Sequence, residues 1–419
     1  MRVPAAVLEQ EVAGADNDGL VDVNLLIRSG VVRRIEMYEP SGVTQLGDVD
    51  GGARIVFPQF VDLHTHLDKA HIVPRTLNPD GTFQGALAGC KEDRERNWTH
   101  ADLIRRMDFA VRSAIAHGTR AMRTHLDVTR PEAPTEEAGW QAFLEIRAHW
   151  EHQIELQAVS LSSLVHLDDT RAYERYASFV AEHGGALGMV VRPDIDLPDR
   201  LLALFNTAGR LGVDIDLHVD EMLDPEATSL LDIAHAIERS GFAGTVTAGH
   251  CCSLSSQHDD LIEKTLDRVA AVGIAVVSLP LCNSYLQDRV GGRTPRARGV
   301  TVVQEMAARG INVAFASDNT RDPFYAYGDQ DMLEVLREAT RIAHLDHPIG
   351  RWPAAVTRVA GDIMGRPEFG CIRTGDRADL ILFNARTYSE LYSRPQSDRV
   401  VLSKGRPSTV PLPDYRELD

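Results

Sequence analysis

The stretch Val56-Phe-Pro-Gln-Phe-Val-Asp-Leu-His-Thr-His-Leu-Asp68 is an apolar run that ends in His64-Thr-His66. Side chains two apart on a β-strand share a face, so His64 and His66 project the same way, about 6–7 Å apart along the strand. Two neutral imidazoles held like that are half of a metal site; they are equally the polar end of an exposed strand. The rest of the chain decides between these readings, because it supplies further ligand-type residues at the ends of other strands.

Strand-like segments recur at 56–64, 118–126, 154–162, 186–192, 213–219, 244–250, 274–280 and 312–317. Segments with 3.6-residue periodicity separate them, for example Ala101–His117, Thr135–Trp150, Arg171–His183, Leu197–Leu211 and Asp329–Ala343. Eight strands alternating with helices predict an α/β fold, a closed (β/α)₈ TIM barrel over 56–369. The alternative, an open doubly wound sheet, usually shows a Gly-rich phosphate loop after an early strand, and none is present. Residues 1–55 and 370–419 read as short strands and turns, including Val21–Ile27, Gly30–Met37, Gly375–Phe383 and Arg399–Gly405. Each end is too small to bury a core alone, so the two are expected to pair into one small β-sandwich.

A chain of 419 residues, 43% hydrophobic and 25% charged, matches a soluble globular protein with room for a barrel and an accessory unit. No run approaches the roughly 18 apolar residues of a membrane span, and Glu9 interrupts the short apolar start, so the expected location is the cytoplasm. The five cysteines show no C-x-x-C spacing, which argues against a disulfide framework or a zinc ribbon. A formal net charge of −17 repels phosphate backbones and excludes general nucleic-acid binding, while leaving room for a local basic patch serving a small anionic substrate.

Active sites of such barrels sit at the C-terminal ends of the strands. Strand 1 ends in His64-Thr-His66, strand 5 in His218-Val-Asp-Glu221, strand 6 in His250, and strand 8 in Ser317-Asp318-Asn319. Each is weak alone; together they bring imidazoles and carboxylates to one mouth.

These residues, with the loop Pro280-Leu-Cys-Asn-Ser-Tyr-Leu-Gln-Asp-Arg289, the run Gly299–Asn312 and Asp322-Pro-Phe-Tyr-Ala-Tyr-Gly328, resemble the amidohydrolase superfamily, and within it the bacterial cytosine deaminase group. The resemblance covers the barrel almost end to end. It implies the amidohydrolase type of barrel, flanked by a sandwich from both termini. It implies His64, His66, His218 and Asp318 as ligands of one divalent metal ion, zinc or iron(II). Glu221 would be the proton shuttle, and His250 would orient or polarise the metal-bound water, with Asp318 serving metal and catalysis alike. Imidazole suits both metals, and such an ion would bring the pKa of its bound water down to about 7. Binuclear members such as hydantoinases and dihydroorotases carry a carboxylated Lys at the end of strand 4; here Gly185–Pro193 has no Lys, which favours a single metal.

The chain departs from that group where substrate is held. Asn319 stands where cytosine deaminases have a second Asp, Ser163 where they have a Gln, and Phe324 where they have a Trp. Losing two hydrogen-bonding partners weakens the case for cytosine itself while leaving the reaction class intact, because unpaired buried polar groups are costly. Lys69, in a His-x-His-x-Asp-Lys run similar to that of s-triazine amidohydrolases, is expected either to meet a substrate carbonyl or carboxylate or to pair with a local acid. Arg75 lies in the same loop. His125 is expected behind the metal ligands or along the substrate, and Cys251, Cys282 and Asn283 as lining. His71, His100, His117, His149 and His152 are expected at the surface, and Lys91–Arg96 on a solvated helix face.

The implied reaction is hydrolytic deamination of a small amino-substituted N-heterocycle, an aminopyrimidine, aminotriazine or pterin-like ring, with release of ammonia. Within enzymes the alternative is hydrolysis of a cyclic amide or of an alkylamino substituent. A non-catalytic binding protein stapled by metal is the alternative of another class, and Glu221 argues against it. A polynucleotide deaminase lacks its H-x-E…P-C-x-x-C signature. The expected partner is a small heterocycle, with neither nucleic acid nor membrane. Barrel enzymes of this kind are often homo-oligomers, although no stretch of this sequence marks an interface.

Overall fold

Eight parallel strands, numbered here β1 to β8, run Phe60–Thr65, Thr119–Asp127, Glu155–Ser163, Ala186–Val191, Ile215–Val219, Val246–His250, Ala275–Ser278 and Val313–Phe315, each hydrogen-bonded to the next. A parallel bridge between Thr65 and Asp318 joins the first to the end of the last and closes the barrel. The computed structural model describes residues 1–10, 12–38, 52–394 and 398–419; the predicted N-terminal β piece therefore lies partly outside the described residues, over 39–51. Among the described residues no helix is long and apolar enough to cross a membrane.

The strands read as apolar runs because parallel strands in this architecture are covered on both faces, and every residue of β1 is buried. The surrounding helices are amphipathic. Leu197–Leu211 turns Leu197, Leu201, Leu204, Phe205 and Ala208 inward and ends at Gly212, whose φ of +65° suits the left-handed cap.

Both termini build antiparallel sheets. One contains Arg2–Pro4, Leu20–Arg28 and Val31–Met37; the other contains Val56–Pro58, Leu380–Phe383, Arg399–Ser403 and Arg406–Pro407. Val3, Val21, Val23, Val32, Val56, Ile372 and Leu380 share one core between them. The predicted strand 56–64 is therefore two strands. Val56–Pro58 pairs with Leu380–Leu382 in the terminal sheet, and Phe60 starts the barrel. Pro58 has no N–H to continue a ladder, which places the break there.

The long segment after β1 is tied down by charge. Arg75 forks onto two buried carboxylates, Asp93 at 2.8 and 2.9 Å and Asp102 at 2.6 and 2.9 Å, fastening helix Phe83–Asn97 to helix His100–His117. Asp93 also accepts from Asn97 and from the Trp98 indole. The Lys91–Arg96 run is thus not a uniformly solvated face: Asp93 points inward because it anchors Arg75. Burial works against the Asp102 charge, but Arg75 and Arg106 outweigh it and hold the carboxyl at about 2. A folded-state pKa below the unfolded value stabilises the fold above about pH 4, and that stability disappears as pH falls towards 2. Asp102→Asn is expected to lower unfolding stability at pH 7 by about 2 kcal/mol. Urea midpoints of variant and wild type should converge as pH falls from about 4 to 2; a gap independent of pH would contradict the assignment.

Candidate active site

At the C-terminal rim the strands end in backbone that bends sharply. Asp220, His250, Cys251 and Asp318 take φ of +43°, +67°, +49° and +61°, left-handed values that cost non-glycine residues energy and tend to occur where side chains must be aimed. The turn after β8 is fixed to β1: the Asp318 N–H donates to the His64 carbonyl at 2.8 Å, and Thr65 Oγ1 donates to the Asp318 carbonyl at 2.9 Å. The Asp318 carboxylate thereby reaches the strand-1 histidines. Its Oδ1 lies 3.3 Å from His66 Nε2 and 3.6 Å from His64 Nε2, while His218 Nε2 comes within 3.2 Å of His66 Nε2. Gly249 on β6 makes room, since a Cβ there would sit 3.1 Å from His64 Cε1.

The donor atoms of His64, His66 and His218 lie within 4.8 Å of one another, as do those of His64, His250 and Asp318. Both nitrogens of His64 and both oxygens of Asp318 are buried without a hydrogen-bond partner. Buried polar atoms are nearly always paired, so a convergent group of unpaired lone-pair donors fits a cation. Burial, reinforced by the neighbouring imidazoles, keeps His64 and His218 well below the usual histidine pKa, in the neutral form that ligates metal. Three imidazoles and a carboxylate suit zinc or another imidazole-binding divalent metal.

Glu221 stands just beyond His218. Its Oε1 accepts from Asn283 Nδ2 at 3.2 Å and lies 3.5 Å from His250 Nδ1; the same Asn283 amide is 3.0 Å from His250 Nδ1. Burial first, and the Asp318 carboxylate second, push the Glu221 carboxyl well above its usual range.

These groups open on a cavity of about 220 Å³ whose wall includes His66, Lys69, Ser163, His218, Glu221, His250, Asp318, Asn319 and Phe324. His64 lies behind the wall, and so does His125, fully buried with its ring stacked 3.9 Å from that of His64 and its Nε2 3.8 Å from Asp216. His125, expected behind the metal ligands or along the substrate, does not line this cavity and lies in the barrel interior beside His64.

Lys69 lines the cavity, yet its ammonium is already paired with Asp127 at 2.7 Å, and Arg94 takes the other Asp127 oxygen at 3.0 Å. Burial opposes the Lys69 charge, but Asp127 and Asp68 hold its pKa above the usual value. Asn319 donates its amide to Asp322 Oδ2 at 2.7 Å, and the other Asp322 oxygen accepts the N–H groups of Phe324 and Tyr325. Asp322 thus sets two cavity residues at once, a role visible in sequence only as the acid heading an Asp-Pro-Phe turn. Asp127 and Arg94 were missed because their meaning depends on each other across 33 residues. His71 and His117, expected at the surface, are buried: His71 packs 4.8 Å from the Phe109 ring, and His117 pairs with Asp329 at 2.8 Å. All five cysteines are free and buried.

The chain belongs to the amidohydrolase family, whose profile matches residues 108–407. Among its relatives is a pterin deaminase of Rhizobium rhizogenes, 49% identical over 408 residues that cover 97% of this chain and 92% of that one. An N-isopropylammelide isopropyl amidohydrolase of Pseudomonas sp. is 24% identical, covering 81% of this chain and 82% of its own. The solved structure of 5-methylcytosine deaminase from Klebsiella pneumoniae liganded with phosphonocytosine superposes with a TM-score of 0.81 at 25% identity, covering 97% of both chains.

If the donor cluster holds a cation, protein stripped by a chelator should melt at lower temperature than protein reloaded with zinc, because a ligand that binds only the folded state stabilises it. In Asp318→Asn the difference should shrink or vanish in differential scanning calorimetry. Equal melting of stripped and reloaded wild type would reject the site.

Proposed function

We propose that this chain is a mononuclear metal-dependent aminohydrolase that removes the exocyclic amine of a pterin-type ring. The observation that carries the reaction is the place of Glu221: a buried carboxyl of raised proton affinity, facing the cavity beside the donor cluster. The 49% identity to a pterin deaminase over nearly the whole chain supports the ring, and the substitutions at Ser163 and Asn319 agree with a substrate other than cytosine.

His64, His66, His218 and Asp318 would hold the ion, zinc or iron(II), and the absence of Lys from β4 favours one per chain. Bound there, a divalent metal supplies Lewis acidity that makes nearby water acidic near neutrality. The remaining work falls to the chain. Asn283, donating to His250 Nδ1, leaves the imidazole proton on Nε2, where it donates towards oxygen at the reacting carbon. The same amide steadies Glu221. Glu221 accepts a proton from the water that adds to the amidine-like ring carbon and delivers it to the adjacent ring nitrogen. In collapse of the adduct the exocyclic C–N bond breaks, a C=O bond forms, and protons moved by Glu221 let nitrogen leave as ammonia. Phe324 offers an apolar face to the ring, and Ser163 and Asn319 offer polar edges. Lys69, neutralised by Asp127, contributes position and shape rather than free charge. The cytoplasm, where free thiols persist, is the compartment we infer.

Release of ammonia or alkylamine, measured across pterin, cytosine and N-isopropylammelide, is the test. Pterin should turn over at least tenfold faster than cytosine; turnover confined to N-isopropylammelide, with an alkylamine released, would replace this reading by its alternative. Glu221→Gln should retain the metal yet lose at least about 100-fold in kcat, the low end of general acid–base contributions. Retained metal with unchanged kcat would remove Glu221 from the mechanism.

A further inference from the structure

Helix Pro280–Leu286 reaches two separate spaces. Asn283 turns inward to Glu221 and His250, whereas Tyr285 faces a second cleft, of about 720 Å³, that shares no lining residue with the candidate active site. Tyr285, Tyr325 and Tyr327 all line this cleft and stand nearly perpendicular to one another. Their ring centroids are 5.5 Å apart at 85° for Tyr285–Tyr325, 6.0 Å at 89° for Tyr285–Tyr327, and 5.9 Å at 81° for Tyr325–Tyr327. Aromatic faces carry negative potential, and several rings around one space attract organic cations, whose weak hydration costs little to remove.

The charges of the cleft point the same way. Its arginines are engaged locally: Arg289 donates twice to the Tyr285 carbonyl, and Arg293 is paired with Asp288. The Arg289 guanidinium lies 4.2 Å from the Tyr285 centroid, so the chain itself already sets a cation on one of these rings. Glu338 is paired with Arg337 and Arg341. Glu334, on the same wall, has no hydrogen-bond or ion-pair partner among the described residues. Burial raises its proton affinity, with Asp331 and Glu338 adding to this and Arg337 opposing it, and a cation entering the cleft would favour the charged carboxylate.

We propose that this cleft binds a small organic ammonium ion, with the tyrosine faces against its methyl or methylene groups and the Glu334 carboxylate balancing its charge. Of the two arginines on the wall, Arg293 is paired with Asp288, while Arg289 keeps its charge and covers the Tyr285 face, leaving Tyr325, Tyr327 and Glu334 for a ligand. A bare inorganic cation would lose hydration that rings replace poorly. Tyr327, 64% exposed, keeps the cleft open to solvent.

Isothermal titration calorimetry on the full chain tests this with choline and with 3,3-dimethylbutan-1-ol, its uncharged isostere. Choline should bind saturably at one site, and the isostere at least tenfold more weakly. Tyr327→Ala and Glu334→Gln, one an exposed position and one an isosteric change, should each weaken choline by about three- to tenfold. Ser163→Ala, in the other cavity, should leave choline affinity unchanged. Absence of saturable choline binding, equal binding of the isostere, or unchanged affinity in both cleft variants would overturn the proposal. None of these readouts depends on deaminase activity, so failure here and failure of the proposed reaction are separable.

Discussion

The hydrogen bond from the Asp318 N–H to the His64 carbonyl is the contact on which the rest of the candidate site depends. It is the seam of the barrel, where the first strand meets the end of the last. Without it the carboxylate of the final strand has no fixed distance to the first-strand imidazoles. The same seam is reinforced one layer down, where Ser317 donates its backbone N–H and its hydroxyl to Asp62 at 3.1 and 2.6 Å. Closure of the fold and assembly of the donor cluster are one event, because the residues that pair across the seam are immediate neighbours of those that face the cavity.

Holding so many polar groups in a barrel interior is costly unless each finds a partner. The layer beneath the rim shows how this is met. Arg123 donates to Asp216 at 3.0 Å and to Gln157, and the Asp216 carboxyl, raised to about 6 by burial although Arg123 opposes it, faces His125. His125 stacks on His64 from below, so the His64 ring is held between a neighbouring imidazole and the close approach of Gly249. The pairing is incomplete, however: both His125 nitrogens and Asp216 Oδ1 lack a hydrogen-bond partner, as do the His64 nitrogens and the Asp318 oxygens above them. The convergence of His64, His66, His218 and Asp318 from different strands is a sharper sign of a cation site than any single histidine.

The placement of these residues at strand ends also explains what could be read from the letters. The eight strands were legible because parallel barrel strands are apolar runs with helices between them, and His64, His66, His218, His250, Glu221 and Asp318 were legible because each stands at or just past the end of such a run. The division of the run at Pro58 was not, since both halves are equally apolar and only pairing with Leu380–Leu382 distinguishes them. His71 and His117 looked like surface residues because their covers, Phe109 and Asp329, come from elements far away in sequence. Lys69 stood undecided for the same reason: the acid that claims it lies 58 residues on.

Asn319 shows why substrate contacts are the hardest part to read. Taken alone it is a polar residue beside a metal-ligand candidate, where an acid would serve related enzymes. In place, its amide sits 2.7 Å from Asp322, whose carboxyl is raised to about 6 by burial even though Asn319 and the backbone of Tyr325 favour its charge. An Asp at 319 would set a second carboxylate against this one, with Asp318 adjacent in the chain, and two acids so close share a proton rather than ionise together. The pair Asn319–Asp322 avoids that repulsion: one side supplies the donor, the other the charge, and the two N–H groups of the following turn donate to Asp322 Oδ1. The identity of residue 319 is therefore set as much by Asp322 and the Phe324 turn as by any substrate edge, and reading it as a substrate determinant requires the turn to be read with it.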